Sequence, residues 1–467
     1  MKWTPFKHQK RGVKWLTSKP EAALFWEMGC AKTTVALKAF QMCQKVGAVK
    51  SALVVAPKRV AQEVWTHEEG GELSSWADFK DLKVVLLHGK LKEKRLQEKA
   101  DLYVCTFDGL RWLIEKKHLQ TLFRNGVDCL IVDELSKLKH PNTKTFKSIK
   151  PYLGKFRRRW GLTGTPAPNG LLDLFGEVYV LDQGRRLGRY ITRYRQKYFN
   201  PTGYQGYVWA PKDGSERAIH AQIKDIALSA KLEECVDMPA FTERDVWVTL
   251  PSKAKKVYHE MEKELLAQLD SGVVVAGSAA VASGKCRQIA SGGVYREDLN
   301  GDRQTELLHH EKTEALKEVV EELNGSPLLV GYEFKHDLAR IQEYFGKDVP
   351  VIGGHTTDKK AAQYVRAFNA GDLPILCGHP ASMGHGLNLQ KSAHHVFWYT
   401  VPWDLELYTQ LNGRLWRTGQ TDKVVAMRCL ARGTVDEVIA NTLNAKRGTQ
   451  GALMEALRRY RRSKVNG

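Results

Sequence analysis

Residues 22–40 read AALFWEMGCAKTTVALKAF. A five-residue apolar run, a short loop ending in Lys32-Thr33, and apolar residues at helical spacing predict a buried strand, a phosphate-cradling loop and a helix. In such a loop the backbone N–H groups and the helix N-terminus face phosphate oxygens, a lysine reaches the β and γ oxygens, and the following hydroxyl holds Mg²⁺. Met28, Gly29, Cys30, Ala31, Lys32, Thr33 and Thr34 are therefore the candidate phosphate-binding residues, with Thr33 a candidate metal ligand. The match to G-x-x-x-x-G-K-[ST] is incomplete, because Trp26 and Ala31 occupy the two glycine positions. A Cβ at position 31 crowds the loop if the backbone there needs dihedrals that glycine favours. An ordinary helix start with a surface lysine is the competing reading.

A second stretch, DCLIVDELSKLKH at 128–140, ends another apolar run in Asp133-Glu134. An acidic pair at the C-terminal end of a parallel strand sits where α/β sheets take ligands. Asp133 suits Mg²⁺ held through water, and Glu134 suits orienting and deprotonating an attacking water. An acidic helix cap is the alternative.

Outward from these two stretches, short apolar runs recur along the 467 residues. They lie at 22–26, 51–56, 83–88, 102–107 and 128–132, and again at 327–332, 348–353, 373–378, 394–400 and 424–430. Bounded by turn residues and spaced by helical stretches, they predict two doubly wound α/β lobes with buried parallel strands. The expected division is a first lobe over 1–180, a basic and aromatic insertion with a helical connector on the edges of both lobes over 181–306, a second lobe over 307–447, and a basic tail over 448–467. With 72 Lys and Arg against 52 Asp and Glu the formal charge is +20, which favours an anionic partner such as nucleic acid. The chain contains no run of about 20 apolar residues, and MKWTPFKHQKRGVKW has no signal-like apolar core. Its eight cysteines are scattered without a C-x-x-C, which fits buried thiols in a reducing compartment.

FKHQKRGVKW, WEMGCAKTT, VVAPKRV, VCTFDGL, VDELSKLKH and WGLTGTPAPN follow one another in the order of the superfamily 2 helicase motifs, and PLLVGYEF, ASMGHGLNLQ and PWDLELYTQLNGRLWRTGQ complete the set. The last two are similar to motifs of the SWI/SNF-like ATPases, and the resemblance spans residues from about 3 to 445. It implies two RecA-like lobes with ATP and Mg²⁺ in the cleft between them, and a short bacterial or phage-type member working in the cytoplasm. Gln9 resembles the glutamine that reads adenine, and Gly386 and Asn388 resemble positions that approach the nucleotide from the second lobe. Arg414 and Arg417, three apart and expected on one face of a helix, resemble arginine fingers that neutralise charge developing on the γ-phosphate.

Lys58, Arg59, Thr106, Phe107, Thr165 and Ser382 lie in motifs that relatives use to hold the phosphates of one strand, in contacts that carry no sequence information. Lys335 and His336 are further candidates. In the insertion, Arg185, Arg186, Arg189, Arg193, Arg195 and Lys197 alternate with Tyr190, Tyr194 and Tyr198, either to bind and stack on nucleic acid or with the tyrosines facing a core. The arginine-rich end, with Arg458, Arg459, Arg461 and Arg462, suits DNA contact or solubility equally. Taken together, the expected activity is that of a monomeric ATP-dependent translocase on double-stranded DNA. An RNA or single-strand helicase, and a DNA-binding descendant with an impaired phosphate loop, are the alternatives.

Overall fold

The computed structural model describes all residues except 1, 28, 59, 67–70, 165, 168–169, 203–207, 236–237, 271–275, 298–302, 384–386 and 445–467. The candidate residues Met28, Arg59, Thr165 and Gly386, and the basic tail, lie outside the described residues. The chain divides into two compact units, one of Met1–Thr202 and Trp209–Asp237, the other of Gly203–Val208 and Met238–Gly467.

The first unit is built on a seven-stranded sheet. Its strands are β1 (Glu21–Trp26), β2 (Ser51–Ala56), β3 (Val84–Leu86), β4 (Leu102–Thr106), β5 (Val127–Asp133), β6 (Arg158–Thr163) and, after the separate two-stranded pair of β7 (Phe199–Thr202) and β8 (Val208–Pro211), β9 (Ala227–Ala230). They are arranged β3-β4-β2-β5-β6-β1-β9, and each neighbouring pair is parallel. The second unit carries β10 (Phe241–Val248), the antiparallel pair β11 (Gly293–Glu297) and β12 (Arg303–Leu307), then β13 (Leu328–Gly331), β14 (Val351–Ile352), β15 (Ile375–Gly378), β16 (His395–Trp398) and β17 (Val424–Ala431). Its main sheet runs β10-β17-β16-β13-β15-β14, again all parallel.

The apolar runs form strands because both sheet faces are covered. In β13, Leu328 and Val330 enter one core while Leu329 enters another; in β16, Phe397 and the pair Val396 and Trp398 divide the same way. Alternation of side chains across a strand then demands apolar residues at every position rather than at every second one. The ten runs expected from sequence all become strands of the two parallel sheets.

The sequence between the two repeats supplies an edge strand to each sheet, β9 beside β1 and β10 beside β17. The expected helical connector is present as the long helix Ser252–Asp270. In the helix Ile191–Tyr198, Tyr194 and Tyr198 are buried, and the Tyr194 hydroxyl donates to the Leu171 carbonyl at 2.8 Å. Those two tyrosines belong to the core, whereas Tyr190 is 59% exposed. All eight cysteines are free thiols, buried except for the half-buried Cys235. Among the described residues no helix is long and apolar enough to cross a membrane.

One expectation is corrected. Arg414 and Arg417 do not share a helix face, because the helix Leu405–Asn412 stops before them and both sit in the turns that follow. Asn412, at the helix end, accepts a 2.9 Å hydrogen bond from Trp398 Nε1, and Gly413 follows it.

Candidate nucleotide site

The C-terminal ends of the first sheet's strands collect most of the candidate residues of the first unit. The phosphate-loop residues follow β1, Lys58 follows β2, Thr106 closes β4, Asp133 closes β5 and Thr163 closes β6. This is the edge at which parallel α/β sheets place ligands, since each strand delivers its chain to a loop there.

The loop after β1 leads directly into the helix α2 (Lys32–Lys45), while α1 (Lys7–Ser18) packs alongside. Trp26 is buried at the base of the loop, and a Cβ added to Gly12 of α1 would fall 2.3 Å from its ring. Gly12 thus makes room for the indole that stands where a loop glycine was expected. Gly29 has φ +84°, and Ala31 has φ 56° and ψ 43°. Ala31 therefore holds the left-handed conformation that glycine normally supplies, at a cost of about 1–2 kcal/mol for an L-residue. Lys32 Nζ donates to the carbonyls of Trp26 at 2.8 Å and Glu27 at 3.2 Å, so the ammonium lies across the loop. Thr34, next to the helix start, donates through Oγ1 to Glu72 at 2.6 Å, and Trp76 Nε1 donates to the same carboxylate oxygen.

The stretches 22–40 and 128–140 meet here. Thr33 Oγ1 donates to Asp133 Oδ2 at 3.3 Å, and the buried indole of Trp65 donates to the same oxygen at 2.7 Å. Burial pushes the Asp133 carboxyl up to about 6, against the pull of the Trp65 bond; the neighbouring Glu134 also raises it, and Lys32 lowers it. Glu134 adopts φ 66° and ψ 63°, the left-handed region again. Its Oε1 accepts from Ser136 Oγ at 2.6 Å and from Thr163 Oγ1 at 3.0 Å. Of the other positive-φ residues besides glycine, Gln183 and Asn324 terminate helices, where that conformation is routine. At Ala31 and Glu134 it instead directs a loop and an acid at strand ends, a setting in which backbone strain accompanies function.

The remaining candidates divide. Gln9 is buried and its Oε1 accepts the Phe6 N–H at 3.0 Å, so half of its amide caps α1. Thr106 caps the helix Phe107–Glu115 by accepting from Gly109 N, and Phe107 packs on the core of the unit. Lys58 is exposed. In the second unit, Arg414 Nη1 and Arg417 Nη1 both donate to the Leu387 carbonyl, at 3.3 Å and 3.2 Å, one residue before Asn388. Asn388 is exposed and its carbonyl accepts from Asn369 Nδ2 at 2.7 Å. Ser382 lies on the short helix Pro380–Met383. Lys335 is exposed, but His336 is buried beside Asp337 and Arg340, inside a network that also takes in Ser291 and Thr400. That network explains why His336 is not available as a surface grip.

Sequence reading did not single out Trp65, Glu72 or Ser136 as site contacts. Trp65 lies 68 residues from Asp133, and no local spacing announces that contact.

Among the described residues no three His, Cys, Asp or Glu side chains converge as a metal cage. A magnesium ion does not need one, because it keeps several waters and binds through one or two protein oxygens plus substrate phosphates. The paired oxygens of Thr33 and Asp133 fit that donor set.

The SNF2-related domain model matches residues 8–292, and the helicase conserved C-terminal domain model matches 311–419. Protein p41 of Acyrthosiphon pisum secondary endosymbiont phage 1 is 33% identical over 98% of this chain and 99% of its own length. A Bacillus subtilis protein named as an ATP-dependent helicase/translocase, YwqA, is 26% identical over 96% of this chain, which spans 48% of that relative. The Sulfolobus solfataricus SWI2/SNF2 ATPase core, solved in complex with dsDNA, aligns at a TM-score of 0.44 and 22% identity over 96% of this chain and 92% of that one.

Proposed function

Because the chain belongs to the SNF2-related family and carries a helicase C-terminal domain, which makes it a nucleic-acid-dependent ATPase, we propose that it is a translocase that uses ATP hydrolysis to move along one strand of double-stranded DNA. The observation that carries this reading is the meeting of Thr33 with Asp133 at the edge of the first sheet, beside Lys32 and Glu134. In the proposed division of labour, Lys32 exchanges its bonds to the Trp26 and Glu27 carbonyls for the β and γ phosphates, and the loop N–H groups hold the rest of the triphosphate. Bound Mg²⁺, held by Thr33 and Asp133, would neutralise charge on the phosphate oxygens. Glu134, oriented by Ser136 and Thr163, accepts a proton from the attacking water. Arg414 and Arg417 supply positive charge to the γ-phosphate, and Gln9 contacts adenine with the amide hydrogens that helix capping does not use.

Lys58, Arg59, Thr106, Thr165 and Ser382 are proposed to grip phosphates of one strand, with 1–180 and 307–447 as the two motor lobes. The formal charge of +20 supports a polyanionic track. Phosphate release should be measured with duplex DNA, single-stranded DNA and RNA over a salt series. Greatest stimulation by duplex DNA, falling steeply with salt, is expected; greatest stimulation by RNA would replace this reading with an RNA helicase.

A further inference from the structure

We propose that Trp65 is a positioning residue that fixes which oxygen of Asp133 is turned toward a nucleotide-bound divalent metal. The inference rests on the nucleotide reading above and adds a residue to it.

Trp65 is fully buried, and its indole N–H donates to Asp133 Oδ2 at 2.7 Å. Thr33 Oγ1 donates to that same oxygen. Both bonds fall on Oδ2, so the two oxygens take distinct roles, Oδ2 anchored and Oδ1 the one assigned here to the metal. The terminal torsion of an aspartate is broad and nearly two-fold, so a carboxylate without such anchors samples both faces. The Thr33 contact is the weaker anchor, because 3.3 Å is long for an O–H···O bond whereas the indole bond of 2.7 Å is short for N–H···O. The indole has one donor and no acceptor, so its bond persists whether or not metal is present.

The backbone before Trp65 is built to deliver the ring. Ala61 N donates to the Pro57 carbonyl at 2.8 Å, and residues Val60–Val64 then widen into a π-helix, with Trp65 N donating to the Val60 carbonyl at 3.1 Å. Single π turns are rare and recur at functional sites, because the extra residue re-aims the side chain that follows. Here that side chain reaches an acid 68 positions away.

The test replaces Trp65 with β-(3-benzothienyl)alanine, which keeps the ring shape and substitutes sulfur for N–H, and separately makes Trp65→Phe. Mn²⁺ binding in the presence of ADP is measured by electron paramagnetic resonance, and ADP binding in EDTA reports the integrity of the loop. Loss of an outer partner of a metal-binding carboxylate typically weakens metal affinity about 10–100-fold, and that is the loss expected in both variants. ADP binding in EDTA should stay unchanged, and saturating Mg²⁺ should recover much of the lost turnover. Mn²⁺ affinity in the benzothienyl variant within about twofold of the parent, far below that range, would overturn the assignment. Failure of the unaltered protein to bind Mn²⁺ with ADP would instead overturn the proposed function itself, and this assignment with it.

Discussion

Thr33 and Asp133 lie 100 residues apart in the chain and meet through a 3.3 Å hydrogen bond from Thr33 Oγ1 to Asp133 Oδ2. The strand order β5-β6-β1 separates their strands by a single intervening one, so the sheet brings the loop after β1 within reach of the acid at the end of β5. The juxtaposition belongs to the fold rather than to a flexible loop.

Removing either chemical partner at this edge should stop turnover without removing the track. Lys32→Ala and Glu134→Gln are each expected to lower DNA-stimulated phosphate release by about 10²-fold or more, the range associated with loss of a general base or a key charge. Duplex binding by fluorescence anisotropy should change little. Retained turnover in Glu134→Gln would remove Glu134 from the role of base.

Arg414 and Arg417 share the Leu387 carbonyl but differ in burial. Arg414 is 5% exposed, and its Nε also donates to the Gln410 carbonyl at 3.1 Å, whereas Arg417 is half-buried. Arg417→Ala should therefore cut turnover by about 10³-fold with little change in melting temperature, while Arg414→Ala lowers both. Parallel kinetics and thermal melts check the split. Normal turnover in Arg417→Ala would remove Arg417 from that role.

Ala31 holds φ 56° at the point where the family pattern has glycine. Ala31→Gly relieves the left-handed cost of about 1–2 kcal/mol but adds about 0.4–1 kcal/mol of unfolded-chain entropy, so stability should rise by up to about 1.6 kcal/mol. Removing the Cβ from the loop should also tighten nucleotide binding. A thermal shift with a fluorescent-ADP titration measures both effects, and weaker binding in the glycine variant would show that the Cβ does not crowd the phosphates.

The second unit should lose stability on mild acidification. His309 Nε2 faces the Ile289 carbonyl at 2.9 Å, and its Nδ1 accepts from Glu311 N at 3.4 Å, the pattern of a neutral ring. Burial, partly opposed by the Ile289 bond and helped by the nearby charges of Arg340, Lys312 and His310, lowers it to about 4. The folded value lies below the unfolded one, so the unfolded chain binds more protons between pH 6.5 and 4. Stability is then full above 6.5 and falls as pH drops toward 4, by at most about 1.4 kcal/mol per pH unit from this group. His309→Gln keeps a donor for Ile289 and removes the titration, so denaturation midpoints across this range should flatten.

Much of the architecture was legible because burial on both faces leaves continuous apolar runs. β6 was harder to read, since RRRWGLTG mixes arginines and glycines with its apolar residues. Arg159 is buried there by pairing with Glu21 at 2.6 Å, and Gly161 admits Leu135, whose Cδ2 would lie 2.4 Å from an added Cβ. Both are long-range accommodations that no local pattern displays. The expected helix under Arg414 and Arg417 failed for a related reason. The helix stops at Asn412, whose side chain is taken by the Trp398 indole, and both guanidinium groups turn to a carbonyl in a separate loop.

By itself the sequence determined the two parallel sheets, the loop-helix junction at Lys32-Thr33 and the acidic strand end at Asp133-Glu134, because strand burial and loop chemistry are written in adjacent residues. Tertiary structure decided which donors hold those acids, that Ala31 takes a left-handed backbone, that Tyr194, Tyr198 and His336 are interior, and that Trp65 reaches Asp133. Each of these depends on contacts between distant segments, which form only when the sheet has ordered its strands, and hydrogen bonds across such separations leave no period in the chain.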